Sequence, residues 1–275
     1  MLSMTTDYAA DTGCPEPYLR RIAEAGFTHV HWCHHWNTDF VYSPPEVDQI
    51  AAWLREFGLG VTDIHASAGR EKAWCSEPEY ERLAGVELVR NRLDMAARLG
   101  SDVIIMHLPA QPADEEPKAA YWARLRRSLD DLKPPACDSR VRIALENLSP
   151  TESFDTIEEV LSQYGPEYVG LCYDSGHGNI SGHGLNRLER LKDRLISLHL
   201  HDNDASGDQH KLLFSGTVDW PRLAGIVARS SYTKWVSMET TMGNTGIADE
   251  TEFLARALET GTAFARMIDE RREVV

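Results

Sequence analysis

Residues 195–210 read LISLHLHDNDASGDQH, three histidines and three aspartates in one short stretch. Imidazoles beside carboxylates can move protons near neutral pH or hold divalent cations. Strand periodicity gives the first half a direction: Ser197, His199 and His201 share one face, while Ile196, Leu198 and Leu200 share the other. The leucines are then expected to meet helices and the histidines to look into an interior. Similar groups close other apolar runs, namely His65 in VTDIH, His107 in DVIIMH, Glu146 in VRIALE, Asp174 in YVGLCYD and Glu239 in KWVSME. Two loop motifs extend the set: Asp174-Ser-Gly-His177, with its histidine expected in a loop, and Asp208-Gln-His210. Taken singly, His65 or Glu146 reads equally well as a hydrogen-bonded or ion-paired structural residue. Gathered in one place they read differently, because burying several such groups unpaired is strongly unfavourable. A divalent metal resolves that problem, one to three ions per chain. Nitrogen and oxygen donors without thiolate suit zinc, manganese, iron or cobalt alike.

The elements that must position these residues follow one rhythm. Apolar runs at 2–9, 27–32, 59–66, 102–108, 141–147, 168–174, 195–202 and 234–240 are spaced as strands. Helical patterns at 15–25, 45–57, 78–99, 115–132, 153–164, 184–193, 219–229 and 248–270 alternate with them. Alternation of this length without a linker predicts an α/β chain folded as a single-domain (β/α)8 TIM barrel over 1–275. The stretches 109–118 and 133–139 fit as loops between elements, and no G-x-G-x-x-G follows a strand. In such barrels the C-terminal strand ends surround the active-site mouth, so His65, His107, Glu146, Asp174, His199 and Glu239 should converge. The segment HWCHHWNTDF (31–40) follows the second strand. Its Trp32, His34, His35 and Trp36 are expected either to wall a sugar-sized pocket or to pack the loop.

Composition narrows the partners. The formal net charge of −15, from 28 basic against 43 acidic residues, disfavours nucleic acid and anionic membranes and favours a small polyhydroxy substrate. The five cysteines are scattered without a C-x-x-C, which predicts a reducing cytoplasm rather than a disulfide framework. No signal-peptide pattern opens the chain and no run is apolar enough to span a bilayer, so a soluble, unprocessed protein is expected. The oligomeric state stays open, a homo-oligomer included.

From AGFTHVHW through VTDIHAS, IIMHLPA, IALENLSP, GLCYDSGHGNI, SLHLHDND, DQHKLLFSGTVDW and VSMETT, the chain resembles the xylose isomerase-like TIM-barrel superfamily. That superfamily includes sugar-phosphate isomerases and epimerases and the endonuclease IV group. In the isomerase branch the resemblance implies one divalent ion on Glu146, Asp174, His199 and Glu239, with His177 touching substrate. It further implies an α-hydroxycarbonyl substrate whose enediolate the metal stabilises, while Glu146 and Glu239 remove and return the proton. The endonuclease branch implies a trinuclear zinc cluster that adds His65, His107, His177, Asp208 and His210. The chemistry there is phosphodiester hydrolysis, and a multinuclear centre would also suit oxidative chemistry on a small molecule. Against that branch, NLSP follows Glu146 where a small Thr-Ala-Gly run is expected, and no basic clamping loops are evident.

Overall fold

A computed structural model describes residues 1–273. Its strands are β1 (Leu2–Thr5), β2 (His29–Trp32), β3 (Gly60–His65), β4 (Val103–His107), β5 (Arg142–Glu146), β6 (Val169–Asp174), β7 (Leu195–His199) and β8 (Val236–Met238). They pair in parallel in the order β7-β6-β5-β4-β3-β2-β1-β8. The ring closes through Leu200, whose N–H donates to Ser237 O (3.0 Å) and whose carbonyl accepts from Glu239 N–H (2.9 Å). Each expected strand is present, shorter by a few residues, because ladder bonds end where the chain turns out into loops.

Helices α1 (Glu16–Ala25), α2 (Pro44–Phe57), α3 (Glu79–Leu99), α4 (Glu115–Ser139), α5 (Glu152–Gln163), α6 (Ser175–Ile180), α7 (Gly184–Leu191), α8 (Trp220–Ala228) and α9 (Glu250–Arg272) complete the chain. The main core lies between sheet and helices, with Leu198 and Leu200 on its sheet side and Leu93, Leu129, Phe253 and Phe264 on its helical side. A separate buried cluster that includes Val103, Ile105, Ala144 and Cys172 fills the lower barrel interior. These residues share strand faces with His107, Glu146 and Asp174, so the interior changes from apolar to charged along its axis. No helix among the described residues is long and apolar enough to cross a membrane.

Two expectations about loops are corrected. The stretch 133–139 is not a loop but the end of α4, with Pro134 and Pro135 inside the helix. Burial of Leu132 and Ala136 holds that turn; the prolines remove the donors that would reach the Asp130 and Asp131 carbonyls, and Arg90 Nη2 donates to Asp131 O instead (3.3 Å). The segment after Asp174 is also helical: α6 is nucleated by the Asp174 carboxylate, which accepts the His177 N–H at 2.6 Å.

Candidate metal centre

Six strand ends deliver their polar side chains to one end of the barrel. Glu146, at the tip of β5, has Oε2 3.0 Å from His199 Nδ1 and 3.3 Å from His107 Nε2. Glu239, just past β8, brings Oε2 to 3.1 Å from the same His199 nitrogen. Asp174 Oδ2 lies 3.1 Å from His201 Nε2, and its Oδ1 lies 3.3 Å from His177 Nδ1. His65 and His107 face each other with Nε2 atoms 3.2 Å apart. A third grouping forms at the rim, where Asp208 Oδ2 is 3.2 Å from both His177 Nε2 and His210 Nε2. Most of these groups border a cavity of about 220 Å3, with Asp7, Trp36, Leu148 and Thr241 completing its wall.

Local structure explains the aim of each side chain. Asn147 clamps the ends of β5 and β6 together, donating to Asp174 O (3.0 Å) and accepting from Asp174 N–H (2.9 Å). Its own carbonyl takes the His177 Nδ1 proton at 3.0 Å. His65 Nδ1 donates in the same way to Ala66 O (2.9 Å), and His210 Nδ1 to Glu239 O (2.7 Å). Fixing the proton on Nδ1 leaves each Nε2 lone pair free to face its neighbours, the arrangement a metal-ligating imidazole needs. Gly176 permits the approach of His201, since a Cβ there would sit 1.9 Å from the imidazole. His210 takes a left-handed φ of 46°, an unusual conformation for a histidine that delivers its ring to the rim. Asp202 anchors the loop behind it through Val218 N–H (3.2 Å) and Trp220 Nε1–H (2.9 Å).

The donors fit a divalent metal. Glu146 Oε2, Asp174 Oδ2, Glu239 Oε2 and both ring nitrogens of His199 and His201 are buried with no aligned hydrogen-bond partner among the described residues. They lie close to one another yet do not bond, which is unfavourable unless a cation occupies the point they share. His65, His107 and Glu146 place one ligand atom each within 4.8 Å of one another, and so do His201, His210 and Glu239.

Electrostatics agrees with the geometry. Burial opposes ionisation of Glu146 and Glu239, but His199 in both cases, and His107 beside Glu146, hold them well below the usual carboxylate range. Burial likewise works against charge on His177 and His210. Asp174, Asp208 and Glu146 nevertheless push His177 up to about 12, and Asp208 with Glu239 raises His210 to about 10. His65 goes the other way, down to about 3, through burial and then the neighbouring His107. A cluster that holds protons this tightly exchanges them for metal in a pH-dependent way.

The loop residues divide. Trp36 lies at the mouth, its ring 4.5 Å from His65 and 5.6 Å from His107. Trp32, His34 and His35 do not border the mouth; they line a separate cavity outside the barrel. The physical reason is alternation: Trp32 follows the inward His31 on β2 and so points to the helices.

Alternation already sets His201 on the inner face with His199, whereas Asp7 and the pair His31 and Asp63 at the site have no local motif to announce them. His201, bracketed by Asp174 and a stacked His210 ring at 3.9 Å, is as close to the carboxylates as His199. Asp7 borders the cavity, and burial raises its carboxyl above the ordinary range even though Thr5 donates to it. Below the mouth, Asp63 accepts from His31 Nδ1 and from Ser197, all fully buried. Alternation along THVHW and VTDIH is the signal that could have found the pair, since Asp63 shares the face of His65.

Comparison with known proteins sets this geometry in context. The family profile described as xylose isomerase-like TIM barrel matches residues 19–257. An uncharacterized protein of Sinorhizobium fredii, y4fM, is 30% identical over 280 residues, covering 93% of this chain and 90% of its own. Among solved structures, a D-tagatose 3-epimerase-like protein superimposes with a TM-score of 0.81 at 17% identity, covering 100% of this chain and 99% of that one. The zinc-bound IolI protein superimposes with a TM-score of 0.74 at 14% identity, covering 98% of each chain.

Proposed function

The chain belongs to the xylose isomerase-like TIM barrel family, and from that premise we propose that it is a metal-dependent isomerase or epimerase of a sugar, sugar phosphate or related polyhydroxy carbonyl compound. The observation that carries this reading is the placement of Glu146 and Glu239. They come from strands β5 and β8, with β6 and β7 between them, approach one imidazole, and border a cavity of about 220 Å3 that suits a single small molecule. Glu146, Asp174 and Glu239, with His199 or His201, would hold the ion. When bound, a divalent ion supplies Lewis-acid polarisation of a carbonyl and its neighbouring hydroxyl.

The remaining work falls to side chains. Both glutamates are held ionised, so either can take a proton from the carbon beside the carbonyl, and the other, once it has taken up a proton from solvent, can return one on the opposite face. Trp36 offers an apolar surface to the C–H side of a sugar, and His177 reaches the hydroxyls with Nε2. A net charge of −15 disfavours polyanionic substrates. The free cysteines, three of them buried, support a reducing cytoplasmic location. The sugar named in the D-tagatose 3-epimerase-like structure and the zinc in IolI support the substrate class and the need for metal.

One specific observation favours a second reading. The rim grouping of His177, Asp208 and His210 has the donors for another ion, as has His65 with His107, and a multinuclear centre would turn the chemistry toward phosphoester hydrolysis or oxidation. Metal counting by plasma mass spectrometry on untagged protein, repeated on His210→Ala, separates the two. One ion per chain that survives the substitution supports the isomerase. Two or three ions, with one lost, move the assignment to the multinuclear reading. Incubating the metal-loaded protein with free and phosphorylated ketoses in deuterium oxide then tests the chemistry. Deuterium at the carbon beside the carbonyl, absent in Glu146→Gln and Glu239→Gln, is the expected result; no exchange with any ketose would overturn it.

A further inference from the structure

A second cavity bordered by histidine lies apart from the barrel mouth, between the end of β2, the loop before α1 and helix α2. Its volume is about 340 Å3, within the range of small-molecule sites. Aromatic rings dominate the wall: Trp32, Phe40, Tyr42 and Trp53. Such a lining favours a flat ring, which gains both area and offset or edge contacts.

One group in the wall has nothing to do. His34 is 1% exposed, and neither Nδ1 nor Nε2 has a hydrogen-bond partner among the described residues. The polar groups of Trp32 and Tyr42 beside it are satisfied. Trp32 Nε1–H donates to the Tyr42 hydroxyl (3.0 Å), which itself donates to His34 O (2.8 Å). An imidazole stripped of water and left unpaired is unfavourable, and a neutral ring offers one donor and one acceptor. Burial, then the adjacent His35, lowers His34 to about 4, so it is neutral at physiological pH.

Charge around the cavity argues against an ionic occupant. Glu46 on the wall disfavours anions, while the Arg92 guanidinium, 4.4 Å from the centre of the Tyr42 ring, covers one face of that ring and adds a positive charge that disfavours a second cation. We propose that this cavity is a second ligand site, selective for a small uncharged aromatic ring bearing a hydroxyl, with the hydroxyl paired to His34. Its wall is continuous with the mouth, because His34 and His35 sit in the same turn as Trp36, where Trp36 N–H donates to Cys33 O at 3.1 Å.

The test uses phenol and toluene as probes on the full chain, with calorimetric titration and tryptophan fluorescence as readouts. Phenol is expected to bind saturably and about tenfold more tightly than toluene, the factor one satisfied buried hydrogen bond supplies. His34→Phe should erase that preference, bringing the two probes within about twofold of each other. Ile50→Trp, which fills the cavity without touching the imidazole, should abolish binding of both; circular dichroism verifies that each variant is folded. Absence of saturable phenol binding, equal affinity for toluene in the unmodified chain, or undiminished binding in Ile50→Trp would each overturn the proposal.

Discussion

Two cavities lie on either side of the loop that follows β2, and both contain histidine beside tryptophan. At the mouth, every imidazole has a carboxylate, a backbone carbonyl or another imidazole against it. In the side cavity, neither ring nitrogen of His34 has a hydrogen-bond partner among the described residues. Residue type is therefore a poor guide to role. Partners decide: the mouth gathers buried carboxylates and imidazoles with the donors for a cation, the side cavity apolar rings and one neutral polar group.

The strongest way to break this comparison is to neutralise the mouth. Glu146→Gln or Glu239→Gln should lower turnover of an isomerised ketose by about 10²–10⁴-fold, the range for loss of a positioned acid or base. Steady-state kinetics with an identified substrate checks this, and unchanged turnover together with unchanged metal content would remove both glutamates from the chemistry. Stripping the metal with a chelator is the next largest perturbation. A ligand bound far above its dissociation constant stabilises by about 3–4 kcal/mol, so the melting temperature should fall by roughly 5 °C or more and recover on reloading. No shift would mean that the buried carboxylates are balanced without a cation.

Acid sharpens the contrast further. His65 is lowered to about 3 and His34 to about 4, both below the ordinary histidine value of about 6.5. Below that ordinary value the unfolded chain takes up protons that these two folded side chains refuse. Stability of the metal-free protein should therefore fall as pH drops through this window, by about 2 kcal/mol for one group over the first unit and a half. His177 and His210 act in the opposite window: raised to about 12 and about 10, they contribute stability below the ordinary histidine value that is lost on alkaline titration. Urea unfolding across pH reads both arms, and a flat profile on the acid side would remove His65 and His34 from the account. The smallest effect belongs to the side cavity. His34→Phe replaces an unpaired polar ring by an apolar one and should stabilise the metal-free protein by about 1 kcal/mol, measured by thermal unfolding. A clear loss of stability would mean that His34 is satisfied in solution by ordered water.

Much of this was legible along the chain because strand geometry is local. A side-chain period of two places Ser197 and His199 on one face whatever the rest of the fold does, and eight runs alternating with helices, six of them ending in metal-capable residues, leave few architectures other than a barrel. His65, His107, Glu146, Asp174, His199 and Glu239 could thus be named as neighbours before any distance was known. Loops and helix ends have no such period. That Trp36 reaches the mouth depends on a turn at His35 with φ of 58°, and whether His177 sits on a loop or a helix depends on the Asp174 cap. The continuation of α4 through two prolines rests on burial of Ala136 against the rest of the protein, which local propensity opposes. His201 became a neighbour of Asp174 only because Gly176 leaves room for its ring. The sequence by itself determined the barrel and the strand-end donors, since both follow from short-range periodicity. Tertiary structure alone decided which imidazoles share which carboxylates, because those contacts join residues far apart in the chain and depend on how loops pack.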